Sequence, residues 1–237
     1  MPTLQTLVIN VKSNIERRQN ISSRLEQRNI NFDFVQAVEP LTPPLGGTQY
    51  LTDIAKAVWL SHRKCLEIAA SGSRPTVILE DDAILNFDAT TIERLSDAIT
   101  EFEIDFIQIG YLNINLAEGV SIILRNFYSF FTRNALAANM FGFFGFMEVG
   151  RAKDQVWRNS LPKDFIVNDV RYGAHCYLVA PTFASKIIAL NDPPFLPADD
   201  FYVALSRAKS FKMIRLKKSK CSQDGTQSSF RRRFLLS

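Results

Sequence analysis

The sequence predicts an α/β protein with a central, mostly parallel sheet flanked by helices. Short apolar runs rich in β-branched residues alternate with segments of helical period along much of the chain, and the first of these runs opens a β-α-β unit. At 237 residues and 46% hydrophobic composition, the chain can bury one substantial core. One domain over residues 1–225 is therefore expected, followed by a basic and apolar tail over 226–237.

Residues 4–11, LQTLVINV, read as the first strand, and Ser13-Asn14-Ile15-Glu16 has the spacing of a capping box that starts a helix. This helix carries Glu16, Arg17, Arg18 and Leu25 and is expected to end near Asn29, where FDFVQAV at 32–38 restores an extended pattern. The Pro- and Gly-rich stretch 39–47 is a loop. Thr52 then caps a helix running to about Ala70, with Ile54, Val58, Leu66 and Ala69 as its apolar stripe and Gly72 as its stop. RPTVILEDDA at 74–83 is a short strand that runs into three carboxylates. A helix bearing Ile92, Leu95 and Ile99 and a strand at 105–110 follow.

From 111 to 165 the periodicity fails, and Phe127, Phe130, Phe131, Phe141, Phe143, Phe144 and Phe146 fall in this stretch. Most of these rings are expected in a core; a long irregular segment of this kind also suits an insertion facing the acceptor side of a site. AHCYLVA at 174–180 returns as a strand, 181–190 as a helix opened by Pro181, and FKMIRL at 211–216 as a late strand.

Composition excludes several classes. Cys65, Cys176 and Cys221 are odd in number and contain no CxxC spacing, so neither a disulfide framework nor a structural zinc site is suggested. The N-terminus reads as a strand and not as a secretion signal, and no apolar run reaches the ~18 residues of a membrane span. A cytoplasmic protein is the expectation. The net charge of +4 is uneven, because residues 205–237 hold ten Lys or Arg against Asp224 alone. The ending RRRFLLS adds apolar residues after the arginines, a combination suited to an anionic membrane surface. Nucleic acid is not the expected partner, since the Phe-rich stretch is poor in interleaved Lys and Arg. GxSxG, Walker A, GxGxxG and HExxH patterns are all missing.

What remains is acidic. Glu80, Asp81 and Asp82 lie at the C-terminal end of a buried strand, where ligands of open α/β sheets bind. Adjacent carboxylates repel one another and persist ionised most readily around a cation, so Glu80 and Asp82 are candidate ligands of a hard ion such as Mn2+ or Mg2+. In an extended backbone these two share one side and Asp81 points away. A second pair, Asp199-Asp200, follows a Pro-rich turn; one of them suits a general base on a stiff support, and the other a helix cap. His62 lies mid-helix beside the apolar stripe, and His175 lies in a strand, each open to a structural or a site role.

Taken together, the paired arginines after the first strand, FDFVQAVEP, the helix ending in LSH, VILEDDA, DFIQIG, GAHCYLVAP and PADDFY resemble glycosyltransferase family 25, over roughly residues 4–225. The family's Gly-Cys pair before the Ser-His element appears here as Ala57-Val58, and its AVDG-like turn as Ala37-Val38-Glu39-Pro40. The resemblance implies a GT-A-like nucleotide-diphosphosugar transferase fold, a UDP-sugar donor with UDP-galactose the usual case, inversion at the anomeric carbon, and a metal-assisted diphosphate site.

Carried over by position, the resemblance implies that Asn10, Arg17, Arg18, Ala37, Ser61, His62, Glu80, Asp81, His175 and Gln223 line the donor site. It implies metal ligation by Glu80 and Asp82, and a base at Asp199, with Asp200 as the alternative. The implied acceptor is a lipooligosaccharide or LPS core sugar at the cytoplasmic face of a bacterial inner membrane, where the basic tail would hold the enzyme. Two rivals use the same residues: a sugar-nucleotide binder without turnover, and a metal-dependent phosphatase or nuclease.

Overall fold

The structure is a computed structural model and describes residues 4–40, 51–112 and 157–224. Most of the expected Phe-rich stretch and the basic tail lie outside the described residues. Along the chain the elements are β1 (Gln5–Asn10), α1 (Ile15–Glu26), β2 (Asp33–Gln36), α2 (Asp53–Ser71), β3 (Thr76–Glu80), β4 (Ala83–Leu85) and α3 (Ala89–Glu101). After them come β5 (Phe106–Gly110), β6 (Phe165–Val167), β7 (Cys176–Val179), α4 (Pro181–Ile188), a 3-10 turn at Ala189–Asn191, α5 (Ala198–Ala208), β8 (Met213–Leu216) and β9 (Cys221–Gln223).

The strands form one mixed sheet in the order β2-β1-β3-β7-β5-β8-β6, with β9 bridging β4 and β5 beside it. β1 runs parallel to β2 and β3, and β5 parallel to β8 and β9. β7 is antiparallel to both β3 and β5, so the parallel halves meet across it. From β1 the chain crosses to β2 on one side and then to β3 on the other. Such a reversal opens a crevice at the C-terminal ends of the two strands. The register pairs Ile9 with Glu80, which brings Asn10 level with the acidic turn.

Thr76–Leu79 of β3 are buried on both faces, the pattern of a strand covered by helices above and below. α2 packs against α4 and α5, and it also lies along β1, β2 and β3. α1 lies against β4 and α3 against β5. Trp59 of α2 is fully buried and meets Phe201 of α5 edge-on at 4.9 Å. Burying a side chain of this kind stabilises the fold by about 2–3 kcal/mol.

The start signal at Thr52 was realised, its side chain accepting from Ala55 N at 3.2 Å, and Asp88 accepts from Thr91 N at 2.9 Å to cap α3. Gly72 ends α2, and Pro181 opens α4. Three expectations need correction. The cap of α1 is Asn14, not Ser13, because the Asn14 side chain is the one that accepts from Arg17 N. The apolar stripe of α2 runs through Trp59, His62, Leu66 and Ala69, whereas Ile54 and Val58 are exposed at 43% and 41%. Large Trp59 decides which face turns inward. Neither Asp199 nor Asp200 caps α5, whose N-cap is Pro197. Both lie in its first turn.

Candidate active site

β3 ends at Glu80, and Asp81-Asp82 form a turn before β4, so the strict alternation expected of three extended residues does not hold. Arg17 Nη1 reaches Asp81 Oδ1 at 3.0 Å and Asp82 Oδ2 at 3.9 Å. Asp81 also accepts from Asn10 Nδ2 at 2.8 Å. β1, α1 and the turn are thereby tied together at the crevice. A cavity of about 20 Å³ lined by Arg17, Asn20, Arg24, Asp81, Asp82 and Asp224 opens there, enough for a water or an ion.

Glu80 is held from two directions. His62 Nε2 lies 3.2 Å from Glu80 Oε1, and Gln223 Nε2 donates to Glu80 Oε2 at 3.2 Å. Burial raises the Glu80 carboxyl, but the His62 hydrogen bond, the neighbouring His175 and Gln223 outweigh it and leave the carboxyl below its ordinary value. Asp82 moves the other way. Burial and the Glu80 charge push it up to about 7 against the pull of Arg17. Its Oδ1 is buried and has no hydrogen-bond partner among the described residues.

A buried carboxylate with an orphan oxygen beside a second carboxylate fits a hard cation, whose charge would reverse the repulsion. Among the described residues no group of three or more His, Cys, Asp or Glu side chains converges to cage a metal. Glu80 and Asp82 alone would supply only part of the oxygen shell that a hard cation needs.

Asp199 enters from the first turn of α5. Its Oδ1 accepts from Ala174 N at 2.6 Å, and burial together with the Glu80 charge raises its pKa despite that bond. His62 and His175 act on the same carboxylate, so Asp199 belongs to this cluster. The turn before α5 is stiffened by Asn191, whose Oδ1 accepts from Phe195 N and Leu196 N and whose Nδ2 donates to Leu196 O. Asp200 is partly buried in the same first turn.

The remaining expected residues take supporting places. Ser61 accepts from Val38 N at 2.8 Å and donates to Ala57 O at 2.7 Å, and Ala37 N donates to Asn10 O at 2.9 Å. Both fix the end of β2 beside the crevice. Arg18 turns away from the carboxylates and lies 3.7 Å over the Phe34 ring. His175 is fully buried, its Nε2 3.3 Å from Cys221 O. Burial lowers its pKa, but Cys221 and the Glu80 charge overcome this and push it up to about 9.

Sequence reasoning missed Arg24 and Asp224. Arg24 donates to Ala83 O at 3.0 Å and pairs with Asp224 at 3.1 Å, while Asp224 N donates to Asp82 O at 2.9 Å. A signal existed for Arg24, which lies two helical turns after Arg17 on the same face. None existed for Asp224, whose place depends on β9 pairing with β4.

The sequence model of glycosyltransferase family 25 (LPS biosynthesis protein) matches residues 3–202. No curated protein sequence matches the chain significantly. Among solved structures, the glycosyltransferase GlyE of Streptococcus pneumoniae TIGR4 is similar at 11% identity and a TM-score of 0.41, over 91% of this chain and 45% of that one. The chain thus spans less than half of GlyE. The galactosyltransferase LgtC, determined with donor and acceptor sugar analogs, is similar at 8% identity and a TM-score of 0.39, over 90% of this chain and 73% of that one. Since the family match spans most of the sequence, the chain belongs to glycosyltransferase family 25.

Proposed function

We propose that this enzyme moves a hexose, with galactose from UDP-galactose the first candidate, onto a core sugar of a lipooligosaccharide or LPS, with inversion at the anomeric carbon. The observation that carries the reading is a set of electrostatically linked carboxylates by the β1–β3 crevice: Glu80 pinned by His62 and Gln223, Asp82 with an oxygen that has no partner among the described residues, and Asp199 raised by the Glu80 charge.

Glu80 and Asp82 would hold Mn2+ or Mg2+ against the donor diphosphate. Such an ion would neutralise charge on the departing UDP. Arg17 and Asn10 orient Asp81 and keep the acidic turn closed against β1. Asp199 accepts the proton of the attacking acceptor hydroxyl, and its raised pKa suits a group that must take and then release a proton. Asp200 is the alternative base. In this reading Ser61, Ala37 and the β2 end line the donor site of a GT-A-like architecture, and the reversal of strand order between β2 and β3 supports it. No helix among the described residues is long and apolar enough to cross a membrane, and the basic tail supplies a peripheral anchor at the cytoplasmic face.

The test incubates purified enzyme with a panel of UDP-hexoses and UDP-N-acetylhexosamines, with Mn2+ or a chelator, and with or without truncated lipooligosaccharide. UDP release from one donor, dependent on metal and stimulated by acceptor, is expected. No release from any donor by a folded protein would sink the proposal in favour of a binding module.

A further inference from the structure

A string of buried hydroxyls runs from the core to the site. Tyr202 on α5, Tyr177 on β7 and His62 on α2 are each almost wholly buried. Tyr202 OH lies 3.0 Å from Tyr177 OH, Tyr177 OH lies 2.8 Å from His62 Nδ1, and His62 Nε2 lies 3.2 Å from Glu80 Oε1. The rings are locked by packing: Phe106 stacks on Tyr177 at 5.2 Å and on Tyr202 at 5.1 Å.

The direction of the string follows from counting hydrogens. Each phenol has one hydrogen to donate. Among the described residues the Tyr202 hydroxyl has one polar partner, Tyr177, so its hydrogen points there. Tyr177 accepts that hydrogen and gives its own to His62 Nδ1. With Nδ1 accepting, a neutral ring in this place carries its proton on Nε2, facing Glu80. The reverse order would leave the Tyr202 hydrogen without an acceptor in the core, a costly arrangement.

We propose that Tyr202 and Tyr177 are positioning residues that fix the tautomer of His62, so that it always presents an N–H to Glu80. Each oxygen of Glu80 then has one donor, His62 on Oε1 and Gln223 on Oε2, which locks the carboxylate plane and leaves its other lone pairs for the cation and donor. α5 serves both ends of the site, since Tyr202 lies one helical turn after Asp199. The role at Glu80 rests on the proposed donor site; the tautomer does not.

The chain contains two histidines, so nitrogen-edited NMR of the imidazoles resolves them, with a His62→Gln sample for assignment. His62 is expected with Nε2 protonated and Nδ1 bare. Tyr177→Phe, shown to be folded by circular dichroism, should give mixed tautomers and bind Mn2+ in the presence of UDP about 10-fold more weakly, the usual scale for loss of a ligand's supporting partner. Tyr202→Phe keeps the donor at Tyr177 but frees its direction, and should move the tautomer ratio the same way by less. A wild-type His62 protonated on Nδ1 overturns the proposal, as does a Tyr177→Phe protein with both tautomer and affinity unchanged. If Tyr177→Phe does not fold, the wild-type tautomer and Tyr202→Phe decide. The expected tautomers in a protein that turns over no nucleotide sugar support the string and remove the reading of the site.

Discussion

The Gln223 side-chain amide meets Glu80 Oε2 at 3.2 Å, joining the last described strand to the end of β3. Gln223 comes to this place because β9 pairs antiparallel with β4, Gln223 opposite Ala83. Replacing it by Ala removes one of the two side-chain donors that Glu80 has among the described residues. Binding of Mn2+ with UDP is expected to weaken by about 10-fold or more. Stability should change by less than about 1 kcal/mol, since Gln223 is only half-buried. Calorimetric titration and thermal melting on the same samples check both; an unchanged affinity would place Glu80 outside the donor site.

Asp82 gives a pH signature. Its carboxyl is raised to about 7 by burial and the Glu80 charge, so the metal-free folded protein keeps a proton that the unfolded chain releases near about 4. Between those values the folded state binds more protons, and the Asp82 contribution to stability is lost as pH rises through about 7. Asp82→Asn cannot ionise. It should melt higher than the wild type at about pH 8, with the difference vanishing near pH ~4. Activity runs in the opposite direction: metal-dependent UDP release by the wild type should rise through pH ~7, and Asp82→Asn should have almost none. A variant that is no more stable at alkaline pH would show that Asp82 ionises freely.

The signals legible in the sequence were local. Thr52 and Pro181 mark helix starts through their own backbone preferences, and Thr76–Glu80 announces itself by β-branched, apolar composition ending in acid. β4, β6 and β9 are three residues each, too short to carry a period, and exist only through partners distant in sequence. The same limit hid part of the site. The Glu80–His62 contact and the Tyr177–Tyr202 string join four elements, and no spacing along one of them reveals the other three. Ile54 and Val58 had the right period and the wrong face, because the choice between two apolar stripes on α2 was made by Trp59 packing on Phe201.

Asp199 and Asp200 separate by what holds them. Asp199 Oδ1 accepts from Ala174 N at 2.6 Å, and Asn can keep that bond, so Asp199→Asn should fold normally. It loses the ability to take a proton. UDP release should fall by about 10²–10⁴-fold, the scale of a lost general base, with donor KM within about 3-fold of the wild type. Asp200→Asn should keep most of its activity. Steady-state kinetics with saturating acceptor decide the matter, and a larger loss at Asp200 would exchange the two roles.

Gly110 shows how tightly the rear of the site is packed. It ends β5 between Cys176 of β7 and Cys221 of β9, and a methyl group there would lie 2.6 Å from His175 Nε2 and 2.8 Å from Cys221 Cβ. Neither neighbour is the far end of a flexible chain: His175 is fully buried, and Cys221 belongs to a strand. Gly110→Ala therefore has to displace β9 or the imidazole, at a cost of about 1–3 kcal/mol. At Gly72 an added methyl meets the Ala69 carbonyl at 3.3 Å, a milder contact beyond the end of α2, so Gly72→Ala should cost less. Denaturant unfolding of the two variants measures the difference. Because Gln223 lies two residues after Cys221, displacement of β9 should also loosen Glu80, and Gly110→Ala should lose Mn2+ affinity in the presence of UDP along with stability. A Gly110→Ala protein as stable as the wild type would mean that the imidazole and β9 move freely, and that the rear wall does not set the position of Glu80.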